Sequence, residues 1–441
     1  MTISPRKMHL GLVFNPQGTH NGGWRLPESR PDQSFSLPFY IELARMAERG
    51  LFDFMFMPDT LALVHHRNPD TYGRNPPIAH LEPFTLLAAL AATTTHIGLA
   101  GSATTTYNPP YQVARILASL DHISGGRAAW NLITSANPAE AWNFGFPEHP
   151  DKADRYERAG EFADVVTGLW DSWAADAFRF DKDCGQYFDP AGVRTLDHDG
   201  AHFKVKGPLN MARPPQGRPV IAQAGSSDAG RDLAARTAEV IFTAQQTMAG
   251  AKAFYDDVRS RASAYGRDGT EIAILPGVVP IVGRTDEEAL EMRGRLQEAY
   301  DYRLGLDMLS AEFGLDMTVY PLDEAVSDDL PGSPLATSRR DLLLGQAKRE
   351  GLTLRQLAKR GASLGHWTLC GSAKTVADTL QQWFEGGAAD GFIVMPACQP
   401  TGTRDFVELV TPELQRRGLF RTAYESTTLR GNLGFAIPER R

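Results

Sequence analysis

Cysteine is scarce: the chain has three among 441 residues, Cys184, Cys370 and Cys398, with no close-spaced pair. This excludes a disulfide framework and argues against a thiolate metal site. Long apolar runs are missing too. The longest, Phe84 to Ala92 and Ile272 to Val282, are too short for a membrane-spanning helix, and Pro276, Gly277 and Pro280 interrupt the second. Arg6 and Lys7 precede only His9 to Phe14 before Asn15-Pro16, too brief for a signal-peptide core, so a cytoplasmic location is expected. Lys and Arg total 45 against 53 Asp and Glu, a formal net charge of −8 with no basic run, which argues against nucleic-acid and anionic-membrane partners. No Gly-x-Gly-x-x-Gly turn follows a strand, so a Rossmann nicotinamide domain is not expected. His65-His66 lack the i, i+4 spacing of a helical zinc site, and no metal is expected.

What remains is a chain able to bury a large core, 42% hydrophobic and 22% charged. Short apolar runs alternate with amphipathic segments. The runs are His9 to Phe14, Phe52 to Met57, His96 to Ala103, Ala128 to Thr134, Pro219 to Ala224, Val240 to Thr243, Ile272 to Val282 and Gly391 to Met395. Strands that are apolar throughout are buried on both faces, as in a parallel sheet covered by helices. About eight strand-helix units predict an α/β chain folded as a (β/α)8 TIM barrel, with an open doubly wound sheet as second choice. Residues 1–441 read as one domain. Two insertions follow strands 4 and 7, about 171–217 and 300–366, both expected over one barrel mouth. The first contains an expected hairpin around Asp199-Gly200, and the segment from Tyr424 to Arg441 reads as an extended arm.

The segment from Pro219 to Arg231 is the most informative. A strand runs into Gly225-Ser226-Ser227 and a helix opens on Asp228, a junction suited to a phosphate: glycine admits close approach, hydroxyls donate, and free N–H groups lie at the positive end of the helix. The plainer reading is an N-cap at Ser227. The other strand ends are polar and small: Met57-Pro-Asp-Thr60, Gly101-Ser-Ala-Thr-Thr-Thr106, Trp130-Asn-Leu-Ile-Thr-Ser135 and Thr243-Ala-Gln-Gln246. Among them Asp59 is the one acid, and a second buried acid opposite it would favour a hydrolase or lyase. Lys152 and Tyr156 stand one helical turn apart and can face one ligand. His20, His65, His66 and His366 are proton-donor or substrate-orienting candidates, of which His20 and His366 are kept as weak catalytic choices.

These residues carry a resemblance. Phe52-Asp53, Met57-Pro58-Asp59, Thr104-Thr-Thr-Tyr107, Leu120 to Arg127, Trp130-Asn-Leu-Ile-Thr-Ser135, Asn143-Phe-Gly145, Asp154-Arg-Tyr156 and Gln223 to Arg231 together resemble the bacterial-luciferase-like flavin monooxygenases. Within them the chain is similar to the branch of nitrilotriacetate monooxygenase component A, dibenzothiophene-sulfone monooxygenase and long-chain alkane monooxygenase. The resemblance implies FMN, bound as FMNH2 at the C-terminal mouth, with its phosphate near Tyr156, Ser226 and Ser227. It further implies Asp59, Thr104, Thr105 and Asn131 along the flavin and Lys152 beside the phosphate, where several members carry His. Dioxygen would react through a flavin C4a-hydroperoxide, and a separate NAD(P)H:FMN reductase would supply the flavin. Ala136 stands where the alkane enzyme carries a histidine, which argues against long alkanes. Trp24, Phe56, Met57, Trp130 and Trp142 are expected as a dry wall, with 300–366 and the loop from His20 to Ser36 as covers. Arg25, Arg30, Arg67 and Arg74 would suit an anionic small-molecule substrate, and oxidative C–N or C–S cleavage is expected. A homodimer or homotetramer is expected. A deazaflavin-dependent dehydrogenase and a non-catalytic flavin-binding protein are the alternatives.

Overall fold

Eight apolar strands close into a parallel barrel in the computed structural model, which describes residues 6–63, 71, 73–74, 81–327, 330, 338–360, 363 and 365–440. They are β1 (His9–Val13), β2 (Phe54–Met57), β3 (Gly98–Thr104), β4 (Ala128–Ile133), β5 (Val220–Ala224), β6 (Val240–Thr243), β7 (Ala273–Gly283) and β8 (Gly391–Val394). Each pairs in parallel with the next, and β8 returns to β1 through His9↔Gly391 and Leu12↔Val394. The fold is therefore the expected (β/α)8 barrel. A ninth parallel strand, Trp367–Ser372, was not foreseen. It pairs with the upper half of β7, from Val278↔Trp367 to Gly283↔Ser372, so β7 extends past the barrel and carries the cover above it.

The helices on the outside are α1 (Leu37–Arg49), α2 (Pro83–Ala91), α3 (Pro110–Ser124), α4 (Lys152–Trp170), α5 (Asp228–Thr237), α6 (Met248–Ala264), α7 (Asp286–Ala299) and α8 (Ala373–Glu385). Proline opens α1, α2 and α3, where a missing N–H costs nothing, and α3 stops at Gly125 with φ +69°. Alternation along the strands divides the core. Leu10, Leu12, Met55, Met57 and Leu99 face outward to α1, α2 and α8. Phe54, Phe56, Ala100, Ala129, Ala222, Leu275 and Ile393 fill the barrel. Trp130 belongs to the outer layer, 5.7 Å from Phe162 and edge-on to Trp170, and Met57 also faces outward. Neither supplies the dry wall expected at the mouth.

The two insertions go to opposite ends. Because α4 runs back against the strands, its last turn delivers the insertion 171–217 to the N-terminal end, where it also ends, while its hairpin climbs the outside of α4 as far as Glu157 and Arg158. At the N-terminal end Gln216 Nε2 donates to Asp121 Oδ1 at 2.6 Å and to Ala128 O at 2.7 Å, and Arg218 pairs with Asp171. The expected hairpin is present as His198–Asp199 against Lys204–Val205, pinned to α4 by Glu161. A second hairpin, Phe178–Asp181 with Gln186–Phe188, accompanies it. The expectation that this insertion covers the mouth is thus corrected.

The second insertion packs a core of its own from Leu306, Leu309, Phe313, Leu343, Leu354 and Leu357. It meets the end of β6, where Gln246 Nε2 donates to Gly365 O at 3.0 Å and Arg349 Nη2 donates to Gln246 Oε1 at 2.8 Å. Asn21 in the loop after β1 reaches Met308. The C-terminal arm folds across its own barrel's N-terminal end: Leu429 and Leu433 join the inner core, and Arg430 pairs with Glu239.

Candidate active site at the barrel mouth

The turn after β5 opens α5 as expected. Ser227 caps α5, its Oγ accepting from Gly230 N at 3.2 Å, so the plain N-cap reading is correct as far as it goes. Yet a Cβ added at Gly230 would stand 3.1 Å from Tyr156 Oη and 3.2 Å from Ser227 Oγ. One at Gly225 would stand 2.7 Å from Gln223 Nε2 and 3.0 Å from Gly230 Cα. Lacking side chains, both glycines let the turn after β5 and the first turn of α5 approach closely, with the Tyr156 hydroxyl of α4 against them. Ser226 is half-buried in the turn after β5. Asp228, which would repel an anion, is turned aside and held by Arg261 at 2.6 Å. Lys152 is exposed at the first position of α4.

Asn131 and Gln223, on the adjacent strands β4 and β5, are each at most 3% exposed but point to opposite faces: Asn131 shares the barrel interior with its register partner Ala222, whereas Gln223 pairs with Leu132 on the outer face, beside Gly225. Asn131 Nδ2 donates to Ser102 Oγ at 2.8 Å, but Asn131 Oδ1 and Gln223 Oε1 are buried with no partner. An unsatisfied buried acceptor costs about 1–3 kcal/mol, so Asn131 Oδ1 inside the barrel is open to a donor from a ligand. Thr104 and Thr105 are buried at the end of β3, and Thr105 N donates to Ile133 O at 2.9 Å. Asp59 is half-buried in the loop after β2 and already has an interaction partner.

Residues with no sequence signal complete the rim. Ser135, just after β4, sits at φ +53°, a conformation that costs a non-glycine residue about 1–3 kcal/mol. Its hydroxyl is 2.5 Å from Glu140 Oε2 and 2.9 Å from Thr104 Oγ1, and Thr60 Oγ1 donates to Glu140 Oε1 at 3.0 Å. Arg155 grips the carbonyls of Thr134 and Ser135 from α4. Tyr107 and His149 form a pair at 2.7 Å between Oη and Nδ1. Burial and then the nearby Glu140 carboxylate push the Tyr107 phenol up; burial and then Arg155 pull the His149 imidazole down. Glu140 is a buried acid that the strand ends did not reveal; it accepts from Thr60, the neighbour of half-buried Asp59, rather than standing opposite Asp59, so the two do not form the facing pair that would favour a hydrolase or lyase. In sequence, Pro138-Ala-Glu-Ala-Trp142 reads as an exposed turn, and only the fold turns Glu140 inward while leaving Trp142 64% exposed and off the dry wall.

Opposite the turn after β5 the mouth is apolar. Phe56 packs edge-on to Phe242 at 5.7 Å, and His366 stacks on Phe242 at 5.4 Å. The absence of a side chain at Gly277 lets Phe242, His366 and Met395 pack closely over it. His20 is buried beneath the cover, edge-on to Tyr300 at 6.0 Å, and its Nδ1 accepts from Gly22 N at 3.1 Å. Burial pulls its pKa down to about 4, so the ring is neutral near pH 7 with its proton on Nε2. Trp24 is half-buried on the same loop. The arginines are not poised for an anion: Arg25 donates to Ala299 O, Arg30 pairs with Glu42, and Arg74 lies near Asp301. His65, His66 and Arg67 lie outside the described residues. Among the described residues no cluster of three His, Cys, Asp or Glu could hold a metal, and no helix is long and apolar enough to cross a membrane.

Fold and rim together define a (β/α)8 barrel with a glycine–serine turn after β5 and the buried amide of Asn131 at its C-terminal mouth. Residues 13–390 match the model of the luciferase-like monooxygenases, and the chain belongs to that family. It is 48% identical to nitrilotriacetate monooxygenase component A of Aminobacter aminovorans, over 98% of both chains. It is 43% identical to N-acetyl-S-(2-succino)cysteine monooxygenase of Bacillus subtilis (strain 168), over 100% of this chain and 99% of that one. Among solved structures it is similar to a riboflavin lyase crystallised with modified FMN and riboflavin, with a TM-score of 0.86 and 31% identity over 97% of this chain and 96% of that one. The chain is a flavin-dependent monooxygenase.

Proposed function

We propose that this enzyme uses FMNH2, delivered by a separate NAD(P)H:FMN reductase, to oxygenate a small polycarboxylate or organosulfur substrate with cleavage of a C–N or C–S bond. The observation that carries the flavin part is the close Gly225–Gly230 approach at the start of α5, with the Tyr156 hydroxyl beside it, together with the unpartnered Asn131 Oδ1 inside the barrel. A phosphate suits the first; an N–H group of a reduced isoalloxazine suits the second. Two relatives support the substrate class, since nitrilotriacetate and N-acetyl-S-(2-succino)cysteine are both polycarboxylates, one built on a C–N and the other on a C–S linkage. The component A designation of the first supports a partner reductase.

Ser226, Ser227, Tyr156 and the first N–H groups of α5 would hold the phosphate, with Lys152 adding charge from the surface. Asn131, Thr104, Thr105 and Asp59 would line the ring. Reduced FMN, when bound, supplies the two electrons that activate dioxygen. The chain's own task is then to orient the ring and keep water out, which the Phe56, Phe242 and Met395 wall and the residue 300–366 cover are suited to do. Neutral His20 can donate from Nε2 without bringing a charge into the dry side.

Anaerobic titration with FMNH2 and with oxidised FMN, followed by mixing with aerated buffer, tests the reading. FMNH2 should bind more tightly than FMN and reoxidise more slowly than it does free in solution. Equal affinity with reoxidation at the free rate would overturn the proposal.

A further inference from the structure

The rim contains a hydrogen-bond chain whose direction is fixed at both ends. Thr106 N donates to Thr104 Oγ1 at 3.1 Å, Thr104 Oγ1 lies 2.9 Å from Ser135 Oγ, and Ser135 Oγ lies 2.5 Å from Glu140 Oε2. A backbone N–H can only donate and a carboxylate can only accept. Ser135 Oγ faces two acceptors, Thr104 Oγ1 and Glu140 Oε2, with one proton, and the shorter contact to the carboxylate draws that proton to Glu140 while Thr104 Oγ1 accepts from Thr106 N. Thr60, donating to the other carboxylate oxygen at 3.0 Å, occupies the remaining side of Glu140. Arg155 holds the Ser135 carbonyl, so the left-handed backbone that presents this hydroxyl is clamped at its carbonyl end as well as at its side chain. The other charged or titratable groups nearby are Tyr107 and His149, which bond to each other and not to the chain.

We propose that Glu140 is a positioning residue that keeps the Ser135 proton turned away from the mouth, so that this hydroxyl offers its oxygen lone pairs and withholds a proton. This inference rests on the FMNH2 reading above. The reaction it would suppress is the wasteful one, FMNH2 + O2 → FMN + H2O2, in which two electrons pass from flavin to dioxygen and two protons end on the oxygens. A hydroxyl free to swing toward the mouth would lend one of those protons and be reprotonated from the flavin N–H, so it would hasten the loss. The role of Glu140 is therefore that of a fixed acceptor, and its negative charge is secondary.

Two substitutions separate acceptor from charge. In E140L the Ser135 proton has lost its anchor, and bound FMNH2 should reoxidise in air about tenfold faster or more. In E140Q the amide oxygen can still accept from Ser135 while its NH2 faces Thr60, whose hydroxyl already lies 3.3 Å from Ala62 O; slow reoxidation should be rescued. Anaerobic FMNH2 affinity and the melting temperature are recorded beside the rate, because a merely structural role would lower these and leave the leucine–glutamine split absent. A wild-type measurement covers the case in which E140L does not fold: if proton supply limits the loss, reoxidation must slow distinctly in D2O. E140L matching the wild type, E140Q as fast as E140L, or no solvent isotope effect would each overturn the inference while leaving the FMNH2 reading intact. Wild-type reoxidation at the free-flavin rate would remove both.

Discussion

The two ends of this barrel treat buried polarity in opposite ways. At the N-terminal end charges meet opposite charges. Asp53, fully buried, accepts from Leu10 N at 2.7 Å and faces His9 and Arg421; burial alone would raise its pKa, but Arg421, His9 and the Leu10 N–H outweigh that and hold it down. Arg127 spends its guanidinium on the carbonyls of Ser124, Ile97, Ala91 and Thr94 and on the Thr94 hydroxyl. At the C-terminal end, Glu140 and Arg155 apart, the groups are neutral amides and hydroxyls, and one serine is held at positive φ. Both ends leave some buried atoms without a partner, Arg421 Nη1 and Arg430 Nε below and the amide oxygens of Asn131 and Gln223 above, so they differ in kind: surplus donors of paired guanidinium groups below, uncharged acceptors above.

The comparison breaks most visibly at Arg421. Replacing it with Met strands the Asp53 carboxylate in the core and should cost about 3–5 kcal/mol, read as a lower denaturant midpoint, with FMNH2 affinity of the folded protein unchanged. The next test sets the two ends against each other by pH. His20, at the mouth, falls from 6.5 unfolded to about 4 folded, so the stability it permits is full above pH 6.5 and lost as pH falls toward 4, by about 3 kcal/mol. Asp121, at the lower end, is pushed up by burial from 3.8 to about 6, so its contribution is present below pH 3.8 and lost as pH rises toward 6, again by about 3 kcal/mol. Urea unfolding across pH 4–7 should show H20Q flattening the acid loss and D121N flattening the opposite slope. If both variants moved the curve in one direction, the contrast between the ends would fail.

Smaller effects sharpen the upper end alone. Tyr156→Phe should weaken FMNH2 binding about tenfold, about 1.4 kcal/mol, in an anaerobic titration, with an unchanged melting temperature. Lys152→Met should cost less than about 1 kcal/mol in the same titration, because an exposed ammonium is screened by solvent. A larger loss at Lys152 than at Tyr156 would mean that charge, rather than the turn, holds the anion.

Much of this architecture was legible in the chain because its signals are local. A strand buried on both faces must be apolar at every position, and all eight such runs became barrel strands. Glycines and serines before a helix mark a turn whatever surrounds it, and Tyr156 could be added from helical spacing. The missed elements lack a local signature. The strand Trp367–Ser372 is only partly buried and acquires its place from the overshooting end of β7. Glu140 follows a turn-like sequence, and its role is visible only once Ser135 and Thr60, five and 80 positions away, stand beside it. The insertion after α4 was expected over the mouth because spacing alone does not say at which end a long helix delivers the chain.

By itself, then, the sequence determined the barrel, its helical coat and the glycine–serine turn that opens α5, because each follows from periodicity or from the conformational range of a few adjacent residues. Tertiary structure alone decided which polar atoms were left without partners, which serine was strained, and how Asp53 met Arg421 across 368 positions of chain. Those outcomes depend on which atoms come within about 3 Å once the barrel closes, and no local pattern encodes that distance.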